Sequence, residues 1–147
     1  MKQWRILVIE DNPGDILLLE EAFASAGLNC EVNTLTDGES ALNYARSTEA
    51  EYPLPDLITL DLNLPRVDGA GVLAALSGNA RFANVPVVVM TSSSSPRDLL
   101  SVAAYGVSLF IVKPVDLKTF LKIGATVREL LEGSRQGSLD STRCQLG

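Results

Sequence analysis

A chain of 147 residues, 46% hydrophobic and 20% charged, suits one folded domain with a single good core. Its net charge of −6 and pI near 4.6 argue against nonspecific binding to nucleic acid or to anionic membranes. Histidine is absent, which excludes Ser-His-Asp catalysis, imidazole proton transfer and His-ligated metal sites within this chain.

The predicted elements follow in order. "ILVI" (6–9) is an unbroken apolar run, as expected of a parallel strand covered on both faces. Asn12 and Pro13 then supply a cap and a first helical position, and Ile16, Leu19, Phe23 and Ala26 recur at helix spacing. "CEVNTL" (30–35) alternates apolar and polar, as a half-covered edge strand does. Asp37 caps a second helix carrying Ala41, Leu42 and Ala45. "LITL" (57–60) is the third strand, and Gly69 opens a helix with Val72, Leu73 and Leu76. "VVVM" (87–90) is the fourth strand. Ser95-Pro96 starts the helix with Leu99, Val102 and Ala103, ending near Gly106. "LFIV" (109–112) is the fifth strand, and Asp116 caps a last helix whose Phe120, Ile123, Val127 and Leu130 form one stripe. From Gly133 the segment "GSRQGSLDSTRCQLG" is polar and nonperiodic. It predicts a domain over 1–132 and a disordered tail over 133–147.

Strict alternation of strand and helix predicts an α/β fold: a flavodoxin-like, doubly wound (βα)5 sandwich on a parallel five-stranded sheet of order 2-1-3-4-5. No basic-plus-apolar leader opens the chain and no apolar run approaches the roughly 20 residues of a membrane span, so a cytoplasmic protein is expected. Cys30 and Cys144 form no metal-type spacing and read as reduced thiols.

In such sheets ligands bind beyond the carboxyl ends of the strands. Strand 1 ends in Glu10-Asp11, strand 3 in Asp61, strand 4 in Thr91-Ser92 and strand 5 in Lys113-Pro114. Neighbouring strands lie about 4.8 Å apart, so strands 1 and 4 flank Asp61 while strand 5 is roughly 10 Å away. A threonine suffices on the near strand, and a side chain as long as Lys113 is needed from the far one. At about 5 Å and an effective dielectric near 20, each pair of carboxylates repels by on the order of 3 kcal/mol. One lysine cannot offset three such charges, whereas a divalent cation with oxygen ligands can, and Mg²⁺ characteristically binds a few carboxylates, keeps waters and meets phosphate. Taken singly, Asp61 reads as a turn acid, Glu10-Asp11 as solvated acids, Thr91 as a loop hydroxyl and Lys113 as a surface lysine. Their coincidence at consecutive strand ends favours a site.

The segments "VIEDNPGD", "LDLNLPRVDG", "VVVMTSS" and "FIVKPVD", in this order, resemble the receiver domain of two-component response regulators, over about residues 4 to 131. "EDNPGD", "LDLNLP" and "KPVDL" are most similar to single-domain regulators partnered with phytochrome-type sensor kinases, although "RELLEG" stands where those carry a late aromatic pair. The resemblance implies that Asp61 is the phosphoacceptor for a phosphohistidine on a separate sensor histidine kinase. Glu10, Asp11 and Asp61 would hold Mg²⁺ together with the backbone carbonyl of Asn63. Lys113 and the Thr91 hydroxyl would contact the phosphoryl oxygens, since phosphoryl transfer needs positioning and charge neutralisation more than proton movement. Phe110 matches the family's aromatic switch, coupled to Thr91, and equally reads as a core Phe on strand 5. Lys113-Pro114 resembles the family's cis peptide. Asp68-Gly69 reads as a turn, Asp15 and Asn12 as a solvated helix start near the pocket, and "SSSSP" (92–96) as a mobile loop responding to Thr91.

An aspartate-nucleophile phosphohydrolase would carry a second acid two residues after the nucleophile, where Asn63 stands and cannot exchange a proton. A flavin carrier would need phosphate-binding hydroxyls where two acids begin the first turn. A phosphorylation-independent adaptor would be expected to lack an acid or the lysine, and ranks second. The expectation is therefore a stand-alone receiver, not an enzyme, that toggles with phosphorylation of Asp61. Its output would be contact with a downstream protein or a phosphotransfer protein, with dimerisation through the fourth helix, fifth strand and fifth helix. Neither nucleic acid nor membrane is an expected partner.

Overall fold

The computed structural model describes residues 2–48, 53–92, 96–135 and 143–146. Six strands form one parallel sheet: β1 (Trp4–Ile9), β2 (Cys30–Leu35), β3 (Leu57–Asp61), β4 (Val87–Thr91), β5 (Leu109–Val112) and β6 (Arg143–Leu146). Their order is β2-β1-β3-β4-β5-β6, so the five expected strands stand in the expected order and a sixth adds to β5. Five α-helices alternate with them: α1 (Pro13–Ser25), α2 (Gly38–Ala45), α3 (Gly69–Ser77), α4 (Pro96–Ala103) and α5 (Leu117–Arg135).

Two elements occupy the C-terminal end. The last helix runs to Arg135, past the expected domain boundary at 132, and Arg143–Leu146 is a strand where a tail without structure was expected. Backbone pairing with an open sheet edge needs no apolar pattern, so "RCQL" carries little signal of its own. Ser93–Ser95, most of the expected mobile loop, and residues 136–142 lie outside the described residues.

Each inner strand divides its side chains between two cores. Leu7, Ile9, Ile58, Leu60, Val89 and Phe110 pack with α2, α3 and α4, around Ala41, Leu73 and Val102. Ile6, Val8, Leu57, Val88, Met90 and Leu109 pack with α1 and α5, around Phe23, Phe120 and Val127. This two-sided burial is why those strands read as unbroken apolar runs. The α5 stripe ends on Leu131, which is buried, with Leu130 partly buried against the same core, and in α4 only Val102 is buried while Leu99 is exposed.

Local chemistry sets the helix ends. Asn12 accepts hydrogen bonds from the N–H groups of Gly14 and Asp15, with Pro13 at the first position. Asp37 accepts from Ser40 N–H at 2.7 Å, Asp68 from Ala70 N–H at 3.1 Å and Asp116 from Thr119 N–H at 2.9 Å. A one-turn 3₁₀ helix over Ala80–Phe82, absent from the sequence reading, is capped by Asn79. The Asn79 amide also donates to the carbonyls of Ala45 and Ser47, fixing the end of α2.

Gly124 lets α5 lie against α1, because a Cβ there would run into the Ala22 carbonyl. Gly69 does the same for the start of α3, where a Cβ would stand 2.8 Å from the Asp61 carbonyl oxygen. Among the described residues every peptide bond is trans, Lys113–Pro114 included, so the cis bond implied by the resemblance is not found. No described helix is long and apolar enough to cross a membrane.

Candidate functional site

Asp61 is the last residue of β3, the sheet's central position between β1 and β4, and is only 4% exposed. Glu10 follows β1 directly and is 2% exposed, with the less buried Asp11 beside it. Carboxylate oxygens of Glu10, Asp11 and Asp61 all lie within 4.8 Å of one another. Such crowding in a partly dry pocket costs several kcal/mol, roughly, unless cations share it.

Lys113 supplies one cation. β5 ends at Val112, and the Lys113 N–H donates to the Thr91 carbonyl at 2.7 Å, which fixes where the side chain departs. Its Nζ donates to Glu10 Oε1 at 2.7 Å, Asp15 Oδ2 at 2.8 Å and Asp61 Oδ2 at 3.2 Å. Burial alone pulls this ammonium's pKa down. The hydrogen bonds to Asp15 and Glu10 and the charges of Asp61 and Glu10 outweigh it, so Lys113 ends above its ordinary value and stays charged. Glu10 shifts the other way for a carboxyl: burial, then its hydrogen bond with Asp61, raise it to about 7 against the lowering by Lys113. One lysine is therefore insufficient for the acids it faces.

Backbone amides complete the anionic side. Asn63 N–H donates to Asp61 Oδ1 at 2.9 Å, and Asn12 N–H to Glu10 Oε2 at 3.2 Å. The Asn63 side-chain carbonyl accepts from Thr91 Oγ1 at 3.0 Å, Ser92 N–H at 3.1 Å and Ser92 Oγ at 3.2 Å. Thr91 is wholly buried at the end of β4, with its hydroxyl turned along the loop that follows Asp61. That loop is tightly wound: Arg66 has φ of 69°, and Val67 N–H donates to the Pro65 carbonyl at 2.8 Å.

The structure thus brings Glu10, Asp11, Asp61 and Lys113 into one cluster and links Asn63 to Thr91 at its side. Phe110 lies apart from them, buried in the core beneath α4. Sequence reasoning set Asp15 aside as solvated, yet it is one of the two closest partners of Lys113. It gave Ser92 no role at Asn63. The donor set is all oxygen, with no thiol or imidazole, which fits a hard divalent cation. A buried carboxylate facing an ammonium can also act as a nucleophile toward a group that carries negative charge into the pocket.

Comparisons with known proteins meet this geometry. The response regulator receiver domain family matches residues 6–124. The probable methanogenesis regulatory protein FilR2 of Methanothrix harundinacea is 37% identical over 86% of this chain and 81% of its own. Response regulator Rcp1 of Synechocystis is 35% identical over 80% of this chain and 82% of its own. Among solved structures, the phosphorylated cyanobacterial phytochrome response regulator RcpA is 34% identical with a TM-score of 0.80, covering 90% of this chain and 96% of its own. Rcp1 has also been solved in a Mn²⁺-bound form, which superimposes with a TM-score of 0.76.

Proposed function

The chain belongs to the response regulator receiver domain family, a module of two-component phosphorelay signalling, and on that premise we propose that Asp61 is its phosphoacceptor. The observation that carries this reading is the convergence on Asp61 of Lys113 at 3.2 Å and of the Glu10–Asp11 pair, on a buried strand end. An Asp61 carboxylate oxygen attacks the phosphorus of a phosphohistidine on the kinase. The P–N bond breaks, the imidazole leaves with that electron pair, and an acyl phosphate forms. Lys113 donates to the incoming phosphoryl oxygens, and the Thr91 hydroxyl leaves Asn63 to do the same. Glu10, Asp11, Asp61 and the Asn63 backbone carbonyl would hold Mg²⁺, which when bound neutralises both the acids and the transferring group.

The kinase partner is read as a sensor histidine kinase of phytochrome type, supported by likeness to RcpA, whose name records that association. The module is read as a cytoplasmic switch rather than an enzyme. The Thr91 movement would be relayed to Phe110 and to α4. The output surface would be α4, β5 and α5, used for a downstream protein, a phosphotransfer protein or a second copy. Leu99, Leu100, Val115 and Leu117 are exposed there. β6 lies along the outer edge of β5, so a dimer through this face includes β6 or displaces it.

Incubation with acetyl phosphate and Mg²⁺, followed by intact mass, tests the chemistry. A single Mg²⁺-dependent phosphoryl gain in the wild type and none in Asp61→Asn is expected. No gain by a folded, metal-supplied protein would favour a phosphorylation-independent adaptor. Light scattering with beryllium fluoride tests the dimer, which a monomer under both conditions would remove.

A further inference from the structure

Lys113 has three N–H donors, and each is directed at a different carboxylate: Glu10, Asp15 and Asp61. Glu10 and Asp61 have other work in the proposed chemistry. Asp15 does not: it belongs to the first turn of α1. Its Oδ2 lies 2.8 Å from Nζ, closer than Asp61 Oδ2 at 3.2 Å, and its side chain is 24% exposed. An acid in the first turn of a helix usually faces solvent and is held only by the helix dipole. Here it reaches inward to take a donor from the one lysine that faces Asp61.

We infer that Asp15 is a positioning residue that competes with the Asp61 phosphoryl group for Lys113 and so limits the affinity for the phosphoryl group. This rests on the reading of Asp61 as phosphoacceptor. Two physical effects act together. A donor engaged by Asp15 is unavailable to a phosphoryl oxygen, and the Asp15 charge repels any anion that binds on Asp61. The same charge attracts a divalent cation to Glu10, Asp11 and Asp61. Asp15 should therefore act in opposite directions on the two ligands of the site: for the cation, against the anion.

That sign reversal is the test. Asp15→Asn keeps the shape and removes the charge. Titration calorimetry with Mg²⁺ alone, and then with beryllium fluoride at saturating Mg²⁺, reads the two affinities without any phosphotransfer. Because Asp15 is partly screened by solvent, the expected changes are modest: Mg²⁺ binding weakened about threefold and beryllium fluoride binding tightened about fivefold. Asp15→Glu should restore both toward wild type. Weakening of both ligands by Asp15→Asn would mark Asp15 as part of the packing and overturn the inference, as would no change in either. Asp61→Asn separates the two levels of the argument. If the wild type binds beryllium fluoride no better than Asp61→Asn does, the phosphoacceptor reading falls and takes this inference with it.

Discussion

Lys113 shows what one side chain does for this pocket. It is 12% exposed, and it stands between two acids that are nearly buried and one that is not. Removing it leaves those acids facing one another, and breaking such a pair from one side costs more than the pair itself contributes. Lys113→Met is therefore expected to lower metal-free stability by roughly 3 kcal/mol in urea titrations. Saturating Mg²⁺ should restore part of the loss, since it addresses the same repulsion. Equal destabilisation with and without Mg²⁺ would instead place the effect in the packing of the lysine stem. At this scale the sequence is legible where a residue breaks a pattern. Asp61, Glu10 and Lys113 are charged residues at the ends of apolar runs, where a charge is costly unless paired. Asp15 breaks no pattern: an acid in a first helical turn already has a sufficient local reason to be there, so its long-range partner is hidden. Ser92 is hidden likewise among consecutive serines.

The helices are held by two kinds of contact, and each makes a distinct prediction. Asp116 sits at the start of α5, where hydrogen bonds from the Thr119 N–H and hydroxyl hold its carboxyl below the usual carboxylate range. A depressed carboxyl contributes stability above its unfolded pKa, and that contribution is lost as pH falls through the folded value. Asp116→Ala should thus melt a few degrees lower at neutral pH, the gap narrowing as the buffer is taken below the ordinary carboxylate range. A gap independent of pH would sink this account of the cap. Gly124 makes the second prediction. Ala there must push α5 away from the Ala22 carbonyl, which overpacking data put at about 1–3 kcal/mol despite the better helix propensity of Ala. Caps such as Asn12, Asp37 and Asp116 are legible because their chemistry is local. The Gly124 contact is not, because it depends on how two helices distant in sequence cross. Leu99 misleads for a related reason: helical spacing marks a face without saying whether anything covers it.

The sheet as a whole has two edges with different protection. β2 is an outer strand with alternating exposure, while β5 is covered by the four residues of β6. Deleting residues 136–147 should uncover β5. Faster amide exchange along Leu109–Val112 is expected, with concentration-dependent self-association by sedimentation, since an unpaired edge recruits other strands. Unchanged exchange in β5 would show that β6 contributes no protection there. The order of the first five strands follows from the sequence because alternation of strand and helix restricts the topology to few solutions. β6 does not, because four residues of mixed character hold their place through the backbone of a neighbour.

The Asn63 side-chain carbonyl ties the turn after β3 to the turn after β4, across 28 and 29 residues of sequence, through Thr91 and Ser92. Segments joined at one acceptor do not fluctuate separately. Relaxation-dispersion measurements should then find a common rate constant for residues 62–69, residues 91–92 and the first turn of α4. Asn63→Ala, by removing the shared acceptor, should split that single process into two with different rates. If the process splits in this way, the rate at which the two turns move together is set at one amide oxygen, not by the core between them.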